Sequence, residues 1–408
     1  MKITTSCSGR FHIFDQARQL HRLDALHRFI NDYPKWMTRR WGIPDDKVTS
    51  LVANGVLSRA TRWIPDSWSL AFKSDMVDRV HDLFSRRLAG HLPPDSDVFI
   101  GLSSFCLQAI ERAKGYGQVT IVDHGSLHQR TERRLMEEEG RLHSLSLDSS
   151  LAPEWIIEKE NLEFHAADRV MVLSQAAKHS LIEEGIEAEK IFVNPCGVDL
   201  SQFAPPEKKQ DNVFRVIYCG HIDPRKGVHY LLQAFAELNL DNAELWLIGT
   251  APSALFGRQI ARYLSDKVRS LGTFPQSDLC RIYAKGSIFV LPSLADGFGM
   301  VVPQAMACGL PVIVTENVGA ADIVADGVDG YVVPIRDVAA LKDKIRHLYE
   351  DPAARQRMSI AAVTKAGRHL SWDAYGDRLV SWLGGLLPGR ASETGATERR
   401  AEAARSLH

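Results

Sequence analysis

Short apolar runs alternate with segments of helical periodicity along most of the chain. This alternation is typical of βαβ units, in which helices cover the faces of a parallel sheet. The apolar runs predict strands at Lys2–Ser6, Val98–Leu102, Val119–Val122, Arg169–Leu173, Ile191–Val193, Phe214–Tyr218, Ala243–Ile248, Val268–Leu271, Ile288–Leu291 and Pro311–Val314. The segments between them predict helices at Phe14–Asp32, Ser103–Lys114, Arg130–Glu139, Pro153–Ala167, Gln175–Glu184, Lys226–Leu238, Pro252–Leu264, Ser277–Lys285, Val301–Ala307 and Gly319–Ala325.

The pattern repeats in two halves, which predicts an α/β protein with two doubly wound domains. The periodicity breaks in the polar run "APPEKKQDN", which contains two prolines. We therefore predict a first domain over residues 1–204, a linker over 205–212 and a second domain over 213–370. An amphipathic segment predicts a closing helix over 371–387, and the polar tail 388–408 is predicted to be disordered.

The composition of the chain favours a cytoplasmic protein over a nucleic-acid-binding, secreted or membrane-spanning one. Of the 408 residues 24% are charged, and 49 basic side chains nearly balance 50 acidic ones, which gives no global attraction to nucleic acid. The six cysteines form no Cys-x-x-Cys pair, which indicates reduced, buried thiols. No apolar run reaches the ~18 residues of a membrane span, and the first residues lack the apolar core of a secretory signal. We predict a cytoplasmic protein.

One segment leaves a peripheral membrane contact open. Residues Pro34–Trp68 combine tryptophans with basic side chains, a mixture that suits the headgroup region of a bilayer. The favoured alternative is a partly buried helical region with solvated arginines. The residues concerned are Trp36, Trp41, Trp63, Trp68, Lys35, Arg39, Arg40 and Arg62.

The first strand of the second half leads into a turn that suits an anion. Strand Phe214–Tyr218 is followed by Gly220, and Arg225 and Lys226 stand at the start of the next predicted helix. A helix start offers free backbone N–H groups and the positive end of the helix dipole, and the two side chains add cations. For this turn alone, a solvated basic surface is the favoured alternative to a phosphate site.

A second junction of the same kind follows strand Ile288–Leu291. In "PSLADGFG", Gly297 and Gly299 let the backbone approach a ligand before the next helix begins. Because the carboxyl ends of parallel strands share one edge of the sheet, the two turns together predict a diphosphate site. Asp296 can accept hydrogen bonds from sugar hydroxyls, and Gln304 can reach another part of an extended ligand. An N-cap for Asp296 and an exposed helix position for Gln304 are the alternatives.

Five segments between about Glu158 and Trp372 are similar to motifs of a large enzyme family, and they have the same order and spacing as in that family. They are "AADRVMVLS", "VNPCGVDLSQF", "YCGHIDPRKGVHYLLQAF", "PSLADGFGMVVPQAMACGLPVIVT" and "GVDGYVVP". They resemble the retaining, nucleotide-sugar-dependent glycosyltransferases of family 4, also called glycosyl transferases group 1. The resemblance implies the GT-B fold, in which two Rossmann-like domains face each other across a cleft and the C-terminal helix crosses back to the first domain. The first 150 residues match loosely.

The resemblance also implies roles for individual residues. Lys226 would neutralise the donor diphosphate, and Arg225 would supply the guanidinium that the family usually has where His221 stands. Asp296 stands where a glutamate commonly contacts the donor sugar, and Gln304 stands where a second glutamate holds the ribose hydroxyls. The other implied donor-binding residues are Gly9, Gly220, Gly297, Phe298, Gly299 and Met300.

In the first half, His124 follows strand Val119–Val122. The resemblance implies a position at the edge of the cleft near the transferred sugar, with Asp123 orienting the ring, and an ordinary structural histidine is the alternative. No His, Cys, Asp or Glu group has the spacing of a metal site in the sequence. Members of the family generally need no metal, so we predict no metal and no cofactor beyond the nucleotide sugar used as substrate.

The resulting prediction is a hexosyl- or other glycosyltransferase that moves a sugar from a nucleotide-diphosphate donor to a hydroxyl acceptor with retention. The acceptor would be a glycan, a lipid-linked sugar or a small molecule, as in exopolysaccharide or cell-surface glycan synthesis. A nucleotide-sugar epimerase, a phosphorylase of the same fold and a non-catalytic binding homologue remain the alternatives, the last because Gln304 replaces an acid.

Overall fold

A computed structural model describes residues 1–61, 70–144, 152–205 and 211–387, with side chains from residue 76 onward in the second stretch. The predicted tail 388–408 and residues 206–210 of the predicted linker lie outside these ranges, as do Arg62, Trp63 and Trp68. The strands are β1 Ile3–Cys7, β2 Leu26–Asn31, β3 Val48–Ser50, β4 Val98–Leu102, β5 Val119–His124, β6 Arg169–Val172, β7 Ile191–Val193, β8 Phe214–Cys219, β9 Ala243–Ile248, β10 Val268–Gly272, β11 Ile288–Leu291, β12 Val312–Thr315 and β13 Gly330–Val333.

Helices separate most of these strands, as βαβ connections require. They are α1 Ile13–Arg22, α2 Lys35–Arg39, α3 Val52–Ala60, α4 Leu70–Gly90, α5 Leu107–Gly115, α6 Gln129–His143, α7 Glu154–Ala166, α8 Gln175–Glu183, α9 Val228–Leu238, α10 Ala254–Ile260, α11 Gln276–Tyr283, α12 Val301–Ala307, α13 Val338–Glu350, α14 Pro352–His369 and α15 Trp372–Leu386. In the described ranges, no helix has the length and the apolar character that crossing a membrane would take.

The strands form two sheets with doubly wound topology. The first has the order β3-β2-β1-β4-β5-β6-β7 and the second has the order β10-β9-β8-β11-β12-β13. All five neighbouring pairs of the second sheet are parallel. In both sheets the order reverses beside the first strand, between β1 and β4 and between β8 and β11. Open α/β sheets bind their ligands at this point, outside the carboxyl ends of the strands.

The second sheet is buried along its central strands. Every residue of β8, β11 and β12 is buried. This is the expected result for a parallel sheet that has helices on both faces, and it explains why these strands appear in the sequence as apolar runs, interrupted only by Arg215 in β8.

The chain forms two compact units that are discontinuous in sequence. The first comprises residues 1–124, 153–171 and the described part of 373–408, and the second comprises 125–152 and 172–372. The domain boundaries predicted from the sequence, at residues 204 and 213, remain predictions.

The closing helix α15 belongs to the first unit. Two residues of α1 donate hydrogen bonds to it. Gln16 Nε2 donates to the hydroxyl of Tyr375 over 3.0 Å, and Arg22 Nη2 donates to Asp377 Oδ1 over 2.6 Å. The prediction that the last helix returns to the first domain is therefore confirmed.

The predicted helix over Phe14–Asp32 is wrong. Helix α1 ends at Arg22, Asp24 adopts a left-handed φ of 53°, and the following run forms β2, which pairs in parallel with β1. The sequence did not reveal the turn, because the helical periodicity continues through it and it contains neither glycine nor proline. The predicted helix Gly319–Ala325 is also wrong, since a 3₁₀ turn occupies Gly319–Ile323.

A buried ion pair joins the start of α1 to the end of β5. His12 Nε2 lies 2.9 Å from Asp123 Oδ1, and both side chains are buried. Burial lowers the pKa of His12, but the charge and hydrogen bond of Asp123 together with the charge of Asp15 outweigh burial, so the pKa of His12 lies above its ordinary value.

This pair predicts a pH dependence of stability. A histidine pKa that is raised on folding contributes stability that is fully present below about pH 6.5 and is lost as the pH rises through the folded-state value. We expect the melting temperature of the wild type to fall between about pH 6 and pH 9 by more than that of His12→Gln. The exposed His91 provides the control, because His91→Gln should keep the wild-type slope. Parallel melting curves for His12→Gln and wild type would contradict the prediction.

Candidate active site

Two loops meet at the centre of the second sheet, at the carboxyl ends of β8 and β11. The first covers residues 220–227 and the second covers residues 292–300. The backbone N–H of Leu294 donates to the carbonyl of Arg225 over 2.8 Å, so the loops are joined through their main chains. The sequence therefore predicted correctly that these two turns share one edge of the sheet.

An ion pair between Lys226 Nζ and Asp296 Oδ2 links the same two loops through side chains. The two side chains are only 11% and 14% exposed, so little water screens the pair. Asp223 accepts a hydrogen bond from the backbone N–H of Lys226 over 2.9 Å. Lys226 therefore lies in a 3₁₀ turn, Pro224–Lys226, and not at the start of α9 as the sequence predicted.

Arg225 is held on the other side of this turn by groups of the protein itself. Its Nη1 donates to the carbonyl of Ala295 over 3.0 Å, and its Nε lies 3.4 Å from Glu132 Oε1 on α6. Burial lowers the pKa of Arg225, but the carboxylates of Glu132, Asp223 and Asp296 raise it to above its ordinary value. The guanidinium is therefore charged. Sequence reasoning missed Glu132, because nothing in the spacing relates α6 to this loop.

Gly227 allows the two loops to approach each other. Its φ is +61°, in the left-handed region, and a Cβ there would overlap the carbonyl oxygen of Pro292. Any other residue would push the 292–300 loop away from the turn that carries Lys226.

Glycines also determine the path of the 292–300 loop. A Cβ on Gly297 would overlap the carbonyl oxygen of Gly125, and one on Gly319 would overlap the carbonyl oxygen of Gly297. Gly299 has a left-handed φ of +79°. Gly125 and Gly319 were not identified from the sequence, because their role depends on contacts far along the chain.

Hydrogen bonds hold the main chain of residues 296–298. The N–H groups of Gly319 and Ala320 donate to the carbonyls of Asp296 and Phe298 over 2.8 and 2.6 Å. The hydroxyl of Ser174 donates to the carbonyl of Gly297 over 2.9 Å. Because every carbonyl of the tripeptide is engaged, its N–H groups and the Asp296 side chain have fixed directions. The Phe298 ring is buried, so its side chain packs in the core.

Gln304 lies on α12, a helix of seven residues that follows Met300. The residue is only 6% exposed, and its Oε1 is buried without a hydrogen-bond partner among the described residues. The alternative of an exposed helix position is therefore wrong. A buried amide oxygen without a donor costs free energy unless a further group supplies one.

His221, which follows Gly220, is exposed. Its Nδ1 is 2.8 Å from the hydroxyl of Thr250 in the loop after β9. This bond holds the ring at the carboxyl end of the second sheet.

His124 and Gly9 belong to the first unit. His124 is buried at the end of β5, its Nδ1 is 2.9 Å from Ser103 Oγ, and its ring packs edge-on against Phe164. Asp123, expected to orient this ring, pairs instead with His12. Gly9 follows β1 with a left-handed φ of +87°.

The loop at Gly9 is fixed by a buried carboxylate. Asp32 accepts hydrogen bonds from the backbone N–H of Gly9 over 3.0 Å and from the hydroxyl of Ser8 over 3.2 Å. The predicted site residues thus form one cluster in the second unit, at the ends of β8 and β11, and a separate set in the first unit.

The tryptophan-containing segment is partly described. Trp36 is 56% exposed, and the Arg40 guanidinium lies over its ring at 5.0 Å. The Trp41 ring packs against Phe14, and the Arg10 guanidinium lies 4.7 Å from the centre of the same ring.

Residues 201–365 match the family described as Glycosyl transferases group 1. This segment is therefore similar to that family. It contains both loops, the Lys226–Asp296 pair and Gln304.

Two known proteins with similar sequences each match about half of the chain. A D-inositol 3-phosphate glycosyltransferase of Segniliparus rotundus is 29% identical over 242 residues, which are 55% of this chain and 54% of that protein. A GDP-mannose-dependent monoacylated alpha-(1-6)-phosphatidylinositol monomannoside mannosyltransferase of Corynebacterium glutamicum is 29% identical over 209 residues, 46% of this chain and 55% of that protein. The chain thus spans about half the length of these curated relatives.

Solved structures match almost the whole chain. Sucrose-phosphate synthase from Thermosynechococcus elongatus superposes with a TM-score of 0.69 at 18% identity, over 95% of this chain and 99% of that one. Anabaena Alr3699/HepE in complex with UDP-glucose gives 0.64 at 18% identity, over 94% and 100%. These likenesses confirm the predicted fold, two Rossmann-like domains of the GT-B type.

The close approach at Gly227 predicts a large effect of a small substitution. Gly227→Ala combines a left-handed φ with a steric overlap, so we expect a loss of at least about 3 kcal/mol in the free energy of unfolding, measured by urea titration. Gly327 has a similar φ of +74° with no atom within 4 Å of a Cβ. Gly327→Ala should therefore cost only about 1–2 kcal/mol. Equal losses in the two variants would show that the contact with Pro292 is unimportant.

Proposed function

We propose that this protein transfers a sugar from a nucleoside-diphosphate sugar to a hydroxyl acceptor, with retention of the anomeric configuration. The observation that carries the proposal is the Lys226–Asp296 ion pair. It places a cation and a carboxylate side by side at the switch point of a doubly wound sheet, where such sheets bind ligands. The group 1 match and the solved neighbours that hold UDP or UDP-glucose support a nucleotide sugar as the donor.

In the proposed reaction, Lys226 stabilises the negative charge that builds up on the departing diphosphate. Its ammonium is already oriented by Asp296 and is largely removed from water, so little reorganisation is needed when the charge develops. Arg225 adds positive potential behind it, since Glu132 and the Ala295 carbonyl hold the guanidinium beside the same turn.

Asp296 and Gln304 would recognise the two sugars of the donor. The Asp296 carboxylate accepts hydrogen bonds from the transferred sugar, and the fixed backbone of Gly297, Phe298 and Gly299 approaches the sugar and phosphate. The buried Gln304 Oε1 lacks a donor within the described residues, and a ribose hydroxyl would supply one.

The transfer itself requires a proton acceptor on the face that the diphosphate leaves. In the proposed mechanism the leaving diphosphate takes the proton from the acceptor hydroxyl on that same face, which gives retention. The contribution of the protein is then electrostatic, through cations and oriented N–H groups, and we propose that no metal takes part in the donor site.

The proposed acceptor is a hydroxyl of a glycan, a lipid-linked sugar or a small polyol. Relatives of this chain are named for transfer to D-inositol 3-phosphate and to a phosphatidylinositol monomannoside, both of which carry ring hydroxyls. A role in exopolysaccharide or cell-surface glycan synthesis, on the cytoplasmic side of a membrane, fits these acceptors. Peripheral membrane contact stays a prediction, with the exposed Trp36 and its neighbour Arg40 as the groups that would make it.

Gln304 favours one alternative, a homologue that binds nucleotide sugars without transferring them. A neutral amide forms weaker hydrogen bonds to hydroxyls than the carboxylate that the family usually has. Incubation with radiolabelled UDP-glucose or GDP-mannose separates the candidates. Transfer or slow donor hydrolysis supports the proposal, an epimerised sugar supports an epimerase, and binding without turnover supports the non-catalytic homologue.

The role of Lys226 predicts a large loss of activity on truncation. Lys226→Ala should lower the rate of UDP or GDP release from the active donor by a factor of about 100 or more, the effect of losing one oriented charge-stabilising group. Lys344→Ala, on α13 of the same unit, is the matched control and should retain the wild-type rate. A Lys226→Ala rate within about threefold of wild type would refute the assignment.

The proposed contact between Gln304 and the ribose can be tested by a variant that should bind the nucleotide more tightly. Gln304→Glu restores a charge-assisted hydrogen bond, so we expect UDP or GDP to bind about 3–10-fold more tightly in calorimetric titration. Gln304→Met, similar in shape but without the amide, should bind about 3–10-fold more weakly than wild type. Unchanged affinity in both variants would place the ribose elsewhere.

A further inference from the structure

Three side chains that commonly bind metals converge between α6 and the first turn of α9. Glu139 and His143 lie one turn apart on the same face of α6, and His229 is the second residue of α9. Glu139 Oε1 lies 2.6 Å from His229 Nε2 and 3.5 Å from His143 Nε2. The three ligand atoms all lie within 4.8 Å of one another.

The second oxygen of Glu139 is occupied by groups outside this triangle. Glu139 Oε2 accepts a hydrogen bond from Arg336 Nε over 2.8 Å and one from the hydroxyl of Tyr230 over 3.2 Å. Oε1 therefore points toward the two imidazoles. Carboxylates that bind metals through one oxygen are commonly held in this way through the other, which fixes their orientation.

A cavity of about 140 Å³ gives access to the cluster. Both imidazoles line it, together with Gln259 and Arg262. His229 Nδ1 and Gln259 Oε1 are buried without hydrogen-bond partners among the described residues. If Nε2 of His229 binds a metal, Nδ1 carries the proton, and a water molecule in the cavity can accept its hydrogen bond.

We propose that Glu139, His143 and His229 bind one divalent metal ion of the zinc class, with water from the cavity as the fourth ligand. Two imidazoles and one carboxylate form the ligand set of many zinc sites, and imidazole favours Zn²⁺, Co²⁺, Ni²⁺ or Cu²⁺ over Mg²⁺ and Ca²⁺. Tetrahedral bonds of about 2.0–2.1 Å place ligand atoms roughly 3.3–3.5 Å apart, so the His143 distance already fits and His229 must retreat by about 0.8 Å.

The site differs from the proposed donor site. His229 follows Lys226 by three residues, but it lies beyond Gly227, in α9 rather than in the loop at the end of β8. A metal here would link α6 to α9 and so stabilise the Pro224–Lys226 turn, which directly precedes α9. The sequence prediction of no metal rested on the family resemblance and on local spacing, and local spacing does not bring together Glu139 and His229, which are 90 residues apart.

Metal binding can be measured without any assumption about glycosyl transfer. The full chain is treated with EDTA, dialysed and titrated with Co²⁺, which gives visible absorption bands when imidazole and carboxylate bind it in four- or five-coordinate geometry. We expect one Co²⁺ per chain, displacement by one equivalent of Zn²⁺, and no displacement by excess Mg²⁺. We also expect Zn²⁺ to raise the melting temperature of the EDTA-treated chain.

Variants locate the binding. His143 is one-third exposed, so His143→Ala should fold, which its melting temperature in EDTA verifies. We expect His143→Ala and His229→Gln each to weaken Co²⁺ binding by about 100-fold or more. The matched control is His347→Ala, an exposed histidine on α13, which should bind as wild type does.

Two outcomes would overturn the proposal. One is a wild-type chain that binds no stoichiometric Co²⁺ or Zn²⁺. The other is binding that survives in His143→Ala and His229→Gln as well as in the control, which would place the metal on other residues.

Discussion

The proposed chemistry of this protein depends on one ion pair, between Lys226 and Asp296. It joins the loops that follow two neighbouring strands, and the main-chain hydrogen bond from Leu294 to Arg225 holds the same loops together. The short contact is available because Gly227 presents no side chain to Pro292. The positions of Arg225, Lys226 and Asp296 therefore depend on the spacing of these two loops.

Carboxylates balance the cations of this region. Glu132, Asp223 and Asp296 surround Arg225 and Lys226, and their charges offset the cost of burying the two basic side chains. Burial raises the pKa of Glu132, although Arg225 and Lys226 lower it in part. An entering diphosphate would therefore compete with carboxylates of the protein for the same cations. Such competition would make the affinity of the proposed site sensitive to α6, a helix that the donor motifs do not include.

Much of the fold could be predicted from the sequence, and particular elements show why. Strands β8, β9 and β11 are buried at every residue except Glu244, so their mainly apolar runs have nearly the predicted bounds. Strand β2 was missed because its boundary with α1 depends on a left-handed Asp24 and on pairing with β1. Periodicity along the chain contains neither kind of information.

The residues of the candidate site also fall into those that the sequence predicted and those that it did not. Arg225, Lys226 and Asp296 lie in short motifs at strand ends, where residue type and topology together indicate an anion site. Glu132, Gly125 and Gly319 support that site from segments distant in sequence, and the cluster of Glu139 with His143 and His229 depends on how α6 packs against α9. These contacts arise from tertiary packing, so no spacing rule could identify them.

The discontinuous units impose an order on folding during synthesis. The ribosome releases residues 1–124 long before α15, yet Tyr375 and Asp377 of that helix complete the hydrogen bonds of Gln16 and Arg22. The first unit therefore cannot complete its packing until the last helix is synthesised, and part of α1 stays uncovered until then. Residues 125–152 likewise leave the ribosome before the sheet on which they pack. The second unit ends at residue 372 and can complete its own contacts first, so vectorial synthesis favours completion of the second unit ahead of the first.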